Sequence, residues 1–407
     1  MTHFFNKIKK ITMDDLTYLF WGIYIVICFL NMVGIFYASE TCQFVFKIIR
    51  YLCYIEFSAK IIIDFKNEKK ITWPIIIISV LAFIITIVSK NRNILFIVLI
   101  LIALRNMDFE KLIKISFKIF MTLFLVVISF AMIGILPNWE FSRGNTTRYA
   151  LGFIYATDAI GMYLATILMF FYIKKDHSTK TELLILETIN VFMYSYTNGR
   201  VSFFLISIIL FIQFLSRFNF TKKVFYNTYI QKCLKFVCNT LPIILFLGMH
   251  ILVIMYANNN VIANKANKLI SDRIKLTYQA YRNYDVNLFG NNIKWQGWGG
   301  YGYIEQEESE DFTYNFVDNS YARLVLDYGI VLSCIVICAY REVLIRNYNN
   351  KNYWLVFTII FILIWSFIEQ YIINIGKNVF VLSFIPLLQY GEIKIFKNKN
   401  IKTERDM

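Results

Sequence analysis

Long apolar runs separated by short polar segments fill most of this chain of 407 residues. About twelve of the runs reach or approach the roughly 20 apolar residues that an α-helix needs to cross a bilayer. The pattern predicts an all-α polytopic membrane protein, with residues 1–407 forming a single integral membrane domain. The predicted spans are 16–38, 44–65, 71–89, 93–105, 115–136, 149–173, 182–196, 201–217, 234–256, 320–340, 353–375 and 378–390.

One long segment, residues 257–320, lacks a membrane-spanning pattern. It contains a glycine-rich run at 290–303 and an acidic cluster at 305–311. Near its start, residues 264–284 repeat apolar side chains three and four positions apart, which predicts an amphipathic helix. We expect this segment to form a large extracytoplasmic loop that folds back over a cavity.

The distribution of charge sets the orientation of the spans. The net charge of +15 could suggest nucleic acid as a partner, but the charges lie in short clusters between the apolar runs. With the N-terminus inside, more than twice as many Lys and Arg lie on the inner side as on the outer side. Because basic residues favour the cytoplasmic side, we expect both termini to be cytoplasmic, in the cytoplasmic membrane of a bacterium. We expect membrane lipids, and no nucleic acid, to contact the chain.

Arginines on the outer side run against this orientation rule and are candidates for function. Arg148 and Arg200 lie at outer span ends, and Arg200 follows a Thr-Asn-Gly turn that would expose its guanidinium. Arg273 shares the apolar face of the predicted amphipathic helix, where it could grip a diphosphate with two prongs. Arg282 is a further candidate for substrate binding, although it lies on the opposite face. The alternative for each is an anchor that reaches the lipid head groups.

Several acidic and amide residues are the remaining candidates. Asp158 and Glu369 fall in the outer halves of predicted spans, where a charge is costly and suggests a polar cavity. Asp318 and Asn319 begin the tenth span, where they could complete a site or only cap the helix.

No set of histidines and cysteines has metal-ligand spacing, and we expect the protein to use no metal and no other cofactor. The acidic cluster could bind a divalent cation, but a solvated loop is the commoner explanation. Trp295, Trp298, Tyr301 and Tyr303 could stack on sugar rings or form an interfacial aromatic belt.

The order of short motifs along these spans resembles the bacterial Wzy-type O-antigen and capsule polymerases and the related O-antigen ligases. The resemblance covers the whole span pattern and is most specific after Arg148. The matching segments are 148–153 with Asp158 and Gly161, 197–200, Asp272-Arg273 with 288–290, and 317–321 with 328–330.

This resemblance implies a fold like that of the C-superfamily membrane glycosyltransferases and a donor glycan linked to undecaprenyl diphosphate. A hydroxyl of a second lipid-linked unit would attack the anomeric carbon, with Asp318, Arg273 and Arg200 as the implied catalytic residues. Implied protein partners are a flippase for the lipid-linked units and a regulator of chain length. Ligases usually have His just before the Asn of the last motif, and Asp318 stands there instead, which favours a polymerase.

Two alternatives stay open at this point. A ligase for O-antigen or wall glycan would have the same architecture and a different acceptor. A flippase for lipid-linked oligosaccharides should show pseudo-symmetric halves and charges on both sides of the midplane. The sequence has no internal repeat, and its charges within spans favour the outer halves.

The predicted orientation can be tested by labelling with a membrane-impermeant thiol reagent. In a background with the seven natural cysteines replaced by serine, we expect Asn291→Cys to react in intact cells and Asn349→Cys to react only after lysis. Labelling of Asn349→Cys alone in intact cells would reverse the assigned orientation.

Overall fold

Helices form most of the protein, as the apolar runs predict. The structure is a computed structural model that describes residues 12–68, 70–143, 146–297, 314–389 and 392–394. Within these ranges five helices are long and apolar enough to cross a membrane, or six if one pair bent by 105° forms a single span. The chain therefore has the helical architecture of a membrane protein, while a total of twelve spans stays a prediction.

The helices of the first half are α1 (Met13–Leu30), α2 (Gly34–Ala38), α3 (Glu40–Glu68), α4 (Trp73–Ser89), α5 (Asn93–Ala103), α6 (Phe109–Met132), α7 (Ala156–Lys174) and α8 (Lys180–Thr197). Those of the second half are α9 (Arg200–Leu215), α10 (Asn219–Phe225), α11 (Thr228–Ala257), α12 (Val261–Leu269), α13 (Arg273–Asn283), α14 (Ser320–Asn349), α15 (Tyr353–Ser366) and α16 (Ile385–Leu388). The bent pair consists of α9 and α10.

Four short strands form two antiparallel pairs that the all-α prediction did not include. Strand β1 (Lys70–Thr72) pairs with β4 (Glu392–Lys394), and β2 (Glu140–Arg143) pairs with β3 (Thr146–Tyr149). The second pair ends at Tyr149, the first residue of the predicted span 149–173, and residues 150–155 are not helical, so helix α7 begins only at Ala156.

The last two predicted spans differ most from the structure. Helix α15 ends at Ser366 instead of continuing to residue 375. The final span becomes a 3₁₀-helix, Val379–Phe384, followed by the four residues of α16. Both changes follow from an irregular segment, residues 367–378, that the apolar composition alone does not distinguish from helix.

Helix α7 lies at the centre of the bundle. It is buried over 83% of its best membrane-spanning window, and α6, α8, α9 and α15 pack around it. Its apolar side chains are distributed all round the helix, as expected for a fully buried helix. This position fixes the start of α7, with Asp158 in its first turn, inside the protein.

A break in α14 receives the loop that follows α13. Gly329 has φ +86° and interrupts the helix, which frees the backbone N–H groups of the next turn. Ile330 donates to the carbonyl of Asn287 (3.1 Å), and Asn291 N–H donates back to the carbonyl of Leu326 (2.9 Å). Two sequence motifs, 288–290 and 328–330, therefore lock together.

Side chains in α14 and at its cap donate hydrogen bonds to backbone carbonyls of the irregular segment 367–378. Asn319 and Ser320 donate to the carbonyls of Phe367 and Glu369, and Tyr340 donates to the carbonyl of Ile372. Non-helical backbone at membrane depth is tolerated only where such partners replace water. The segment therefore keeps an open shape beside the start of α14.

The charged side chains of α3 differ in whether they have polar partners. The carboxylate of Glu56 accepts from the Thr17 hydroxyl (2.6 Å), and the Lys60 ammonium contacts Asp14 (2.9 Å) and Asp64 (2.5 Å). Arg50, which lies earlier on the same helix, forms no ion pair within the described ranges.

The lock between the loop and α14 predicts a strong effect of adding one methyl group. In Gly329→Ala the new Cβ would overlap the carbonyl of Leu288, and the positive φ would be strained as well. We expect a loss of about 2 kcal/mol or more in stability, measured as a lower melting temperature of the purified protein and less protein in membranes.

Gly248→Ala is the matched control, since a Cβ at this position in α11 meets nothing within 4 Å. Equal melting temperatures for the two variants would show that the lock contributes little to stability.

Candidate functional site

A cavity of about 500 Å³ lies where the helix starts of one end of the bundle meet the segment 367–378. Six of the eight predicted site residues line it, from five separate parts of the chain. They are Arg148, Asp158, Arg200, Arg273, Asp318 and Glu369.

Four helices begin around this cavity. Its wall includes the first turns of α7 and α9, the first residue of α13, and Asp318, two positions before α14. The N-terminus of a helix has unpaired N–H groups and about half a positive charge. The arrangement of helix ends therefore favours an anionic ligand.

A sharp turn presents Arg273 to the cavity. The predicted helix over 264–284 is in fact two helices, because Ser271 and Asp272 adopt left-handed conformations with φ +60° and +63°. The buried Asn267 holds the turn: its side chain donates to the Asp272 carboxylate (2.7 Å) and accepts from the N–H of Lys275 (2.9 Å). Arg273 therefore starts a helix instead of lying mid-way along one.

Two carboxylates hold the Arg273 guanidinium. Its Nε donates to Asp318 at 3.1 Å and its Nη2 donates to Glu369 at 3.0 Å. Burial alone would lower the pKa of Arg273, but the charges of Asp318 and Glu369 outweigh burial and raise that pKa above its ordinary value. The arginine thus stays charged and joins α13, the start of α14 and the segment after α15.

Arg200 and Arg148 have different roles in the geometry. Arg200 is exposed at the start of α9, and its side chain makes no ion pair within the described part of the protein. Arg148 is buried, and its Nε donates to the carbonyl of Thr197 at 2.7 Å. Arg148 therefore supports the turn at 197–199 that presents Arg200.

The packing of that turn explains its glycine. A Cβ at Gly199 would lie 2.5 Å from Cγ2 of Ile160 on α7. The backbone of Asn198, with φ +48°, ends α8 in the left-handed conformation that Asn tolerates better than most residues. The Asn-Gly pair thus brings α9 close to α7.

A second ion pair lies deeper in the cavity wall. The Lys377 ammonium contacts the Asp158 carboxylate at 2.7 Å and the Tyr371 hydroxyl at 2.7 Å, and Tyr371 donates to Asp158 at 3.1 Å. Lys377 was not among the predicted site residues. The signal was nonetheless present, because the predicted orientation places Lys377 on the outer side, as it does the selected arginines.

Two predicted site residues do not line the cavity. Asn319 is fully buried and caps α14, where its side-chain oxygen accepts from the N–H of Ala322 at 2.9 Å. Its side chain therefore has a structural role, and its role in substrate binding stays a prediction. Arg282 lines a separate cavity of about 340 Å³, which shares Leu276, Tyr314 and Phe316 with the first.

The aromatic and acidic candidates of the loop are only partly described. The Trp295 ring lies against Arg323, with the guanidinium carbon 4.3 Å from the ring centre. The indole N–H of Trp295 donates to the Asp327 carboxylate at 2.7 Å. Trp295 also lines the cavity. The acidic cluster at 305–311, with Trp298, Tyr301 and Tyr303, lies outside the described residues.

Comparisons with protein-family models, with curated proteins and with solved structures give no match to this chain. The geometry of the cavity and the motifs in the sequence are therefore what bears on function.

The Asp158–Lys377 pair predicts non-additive effects on stability. Lys377→Met leaves a partly buried carboxylate unpaired, which costs about 3–5 kcal/mol. We expect the double variant Asp158→Asn/Lys377→Met to recover part of that loss. The measurement is a double-mutant cycle on the melting temperatures of the wild type, the two single variants and the double variant. Additive losses would mean that the two side chains contribute independently.

Proposed function

We propose that this protein is a membrane glycosyltransferase, a polysaccharide polymerase that joins oligosaccharide units linked to undecaprenyl diphosphate. The observation that supports it is the meeting of Arg200, Arg273 and Asp318 in one cavity. These three residues lie on segments that resemble polymerase motifs, and each comes from a different part of the chain. On the predicted orientation, the cavity opens at the outer face of the bacterial cytoplasmic membrane.

The arginines would act on the leaving group. When the acceptor oxygen bonds to the anomeric carbon, the bond from that carbon to the phosphate oxygen breaks, and the lipid diphosphate takes the electron pair. Donors already in place where this charge develops lower the barrier. Arg200, the helix starts of α7 and α9, and Arg273 surround the space where the diphosphate would lie, so no metal is required for charge stabilisation.

A carboxylate would accept the proton of the acceptor hydroxyl. Asp318 and Glu369 both contact Arg273, but the side chain of Asp318 is 25% exposed against 12% for Glu369. We assign the base to Asp318, since the group that meets the acceptor must be reachable from the cavity. Glu369 and the Asp158–Lys377 pair would hold the sugar and orient Arg273.

The arginines differ enough in position to give a clear test. Loss of a charge-assisted hydrogen bond costs roughly 1.5–3 kcal/mol, and loss of a transition-state donor slows turnover by about 100- to 1000-fold. We therefore expect Arg200→Ala and Arg273→Ala to leave mainly single repeat units, measured as glycan chain length in cells with matched membrane levels. Arg273→Lys should recover little, because lysine keeps the charge without the two-pronged geometry.

Arg282→Ala is the matched control, because Arg282 lies in the neighbouring cavity and should make polymer of normal length. Normal polymer from both Arg200→Ala and Arg273→Ala would contradict the proposed grip on the diphosphate. Absence of lipid-linked units from the outer face in a deletion strain would indicate a flippase instead.

A further inference from the structure

A second polar cavity lies beside the first at the same end of the bundle. It has a volume of about 340 Å³ and is bounded by the end of α1, the middle of α3, the start of α5, the start of α14 and the segment 370–377. Three residues, Met32, Gln370 and Lys377, line both cavities. The two cavities therefore share a wall.

Arg50 is the feature of this second cavity that requires explanation. It projects from the middle of α3 into the cavity, among Cys28, Asn93 and Tyr54. The other charges that line the cavity have partners: Arg323 is paired with Asp327 at 2.8 Å, and Lys377 with Asp158. Within the described residues, Arg50 has neither an ion pair nor a side-chain hydrogen bond. Arg50 falls in the predicted span 44–65, and a charged group within a span is costly unless it is paired or serves function.

Further unsatisfied polar atoms surround the same space. Nη1 of Arg323 and Oδ1 of Asn31 are buried and have no hydrogen-bond partner among the described residues. Amide side chains of Asn93, Gln370 and Asn374 complete the lining. Guanidinium N–H groups suit phosphate oxygens, and amides both donate to and accept from sugar hydroxyls.

We propose that the second cavity binds the phosphate and first sugar of a second lipid-linked molecule, with Arg50 on the phosphate. The cavity adjoins the first across Lys377, so two lipid-linked units would lie with their sugars facing one another. The identity of this ligand rests on the proposed function, whereas the phosphate site itself rests on Arg50 and its unpaired neighbours.

Binding stoichiometry tests this inference without relying on activity. The full-length protein in detergent is titrated with undecaprenyl diphosphate, and bound molecules are counted by native mass spectrometry. We expect two molecules per chain for the wild type and one for Arg50→Gln, with a Kd at the affected site weakened about 10- to 100-fold. Arg200→Ala should lose the other molecule. Arg92→Gln is the control, since Arg92 is exposed at the start of α5 and lines neither cavity.

A second variant keeps the test valid if Arg50→Gln fails to accumulate. Asn93→Trp fills the cavity mouth while Arg50 stays in place, and the same single molecule should be lost. Two bound molecules in either variant, or one in the wild type, would overturn the second site. Displacement of the Arg50-dependent molecule by phosphatidylglycerol would assign the phosphate to ordinary membrane lipid and overturn the substrate assignment.

The readouts separate this inference from the proposed function. A wild-type protein that binds two lipid diphosphates and makes no polymer would refute the polymerase and leave the second site standing. Polymer formation by the wild type, together with two bound molecules in both Arg50→Gln and Asn93→Trp, would support the polymerase and refute the second site.

Discussion

The contact of one guanidinium with two carboxylates joins three separate segments of this protein at the candidate site. Arg273 brings α13 against Asp318, two positions before α14, and against Glu369 in the segment that follows α15. Removing the arginine would leave two carboxylates close together in a partly buried site, and such losses cost about 3–5 kcal/mol. An anion that binds here must therefore compete with Asp318 and Glu369 for the same N–H groups. Fold and site thus depend on one side chain.

The sequence was informative about the site because charge in a membrane is expensive. On the predicted orientation few basic residues lie on the outer side, so the sequence alone singles out Arg148, Arg200 and Arg273. Their separate tasks could not be assigned in this way. Whether a guanidinium faces a carbonyl, as in Arg148, a pair of carboxylates, as in Arg273, or open space, as in Arg200, depends on contacts between distant segments.

Secondary structure was predictable where one apolar periodicity corresponds to one continuous helix. It was not predictable where the backbone leaves the helical conformation while the composition stays the same. The apolar repeat across residues 264–284 continues through Ser271 and Asp272, although both residues adopt positive φ and split the helix. Likewise, the apolar run after Ser366 has the composition of helix. Its conformation is decided by hydrogen bonds from α14, which is distant in sequence.

The irregular segment 367–378 has a consequence for how this cavity could change over time. Its backbone is held by side chains of Asn319, Ser320 and Tyr340, so the shape of one cavity wall is encoded on a different helix. A substitution on α14 that never meets the ligand can therefore reshape the pocket. On the proposed function, new glycan specificities would be accessible through changes behind the wall, while the arginines proposed to bind the common lipid diphosphate remain unaltered.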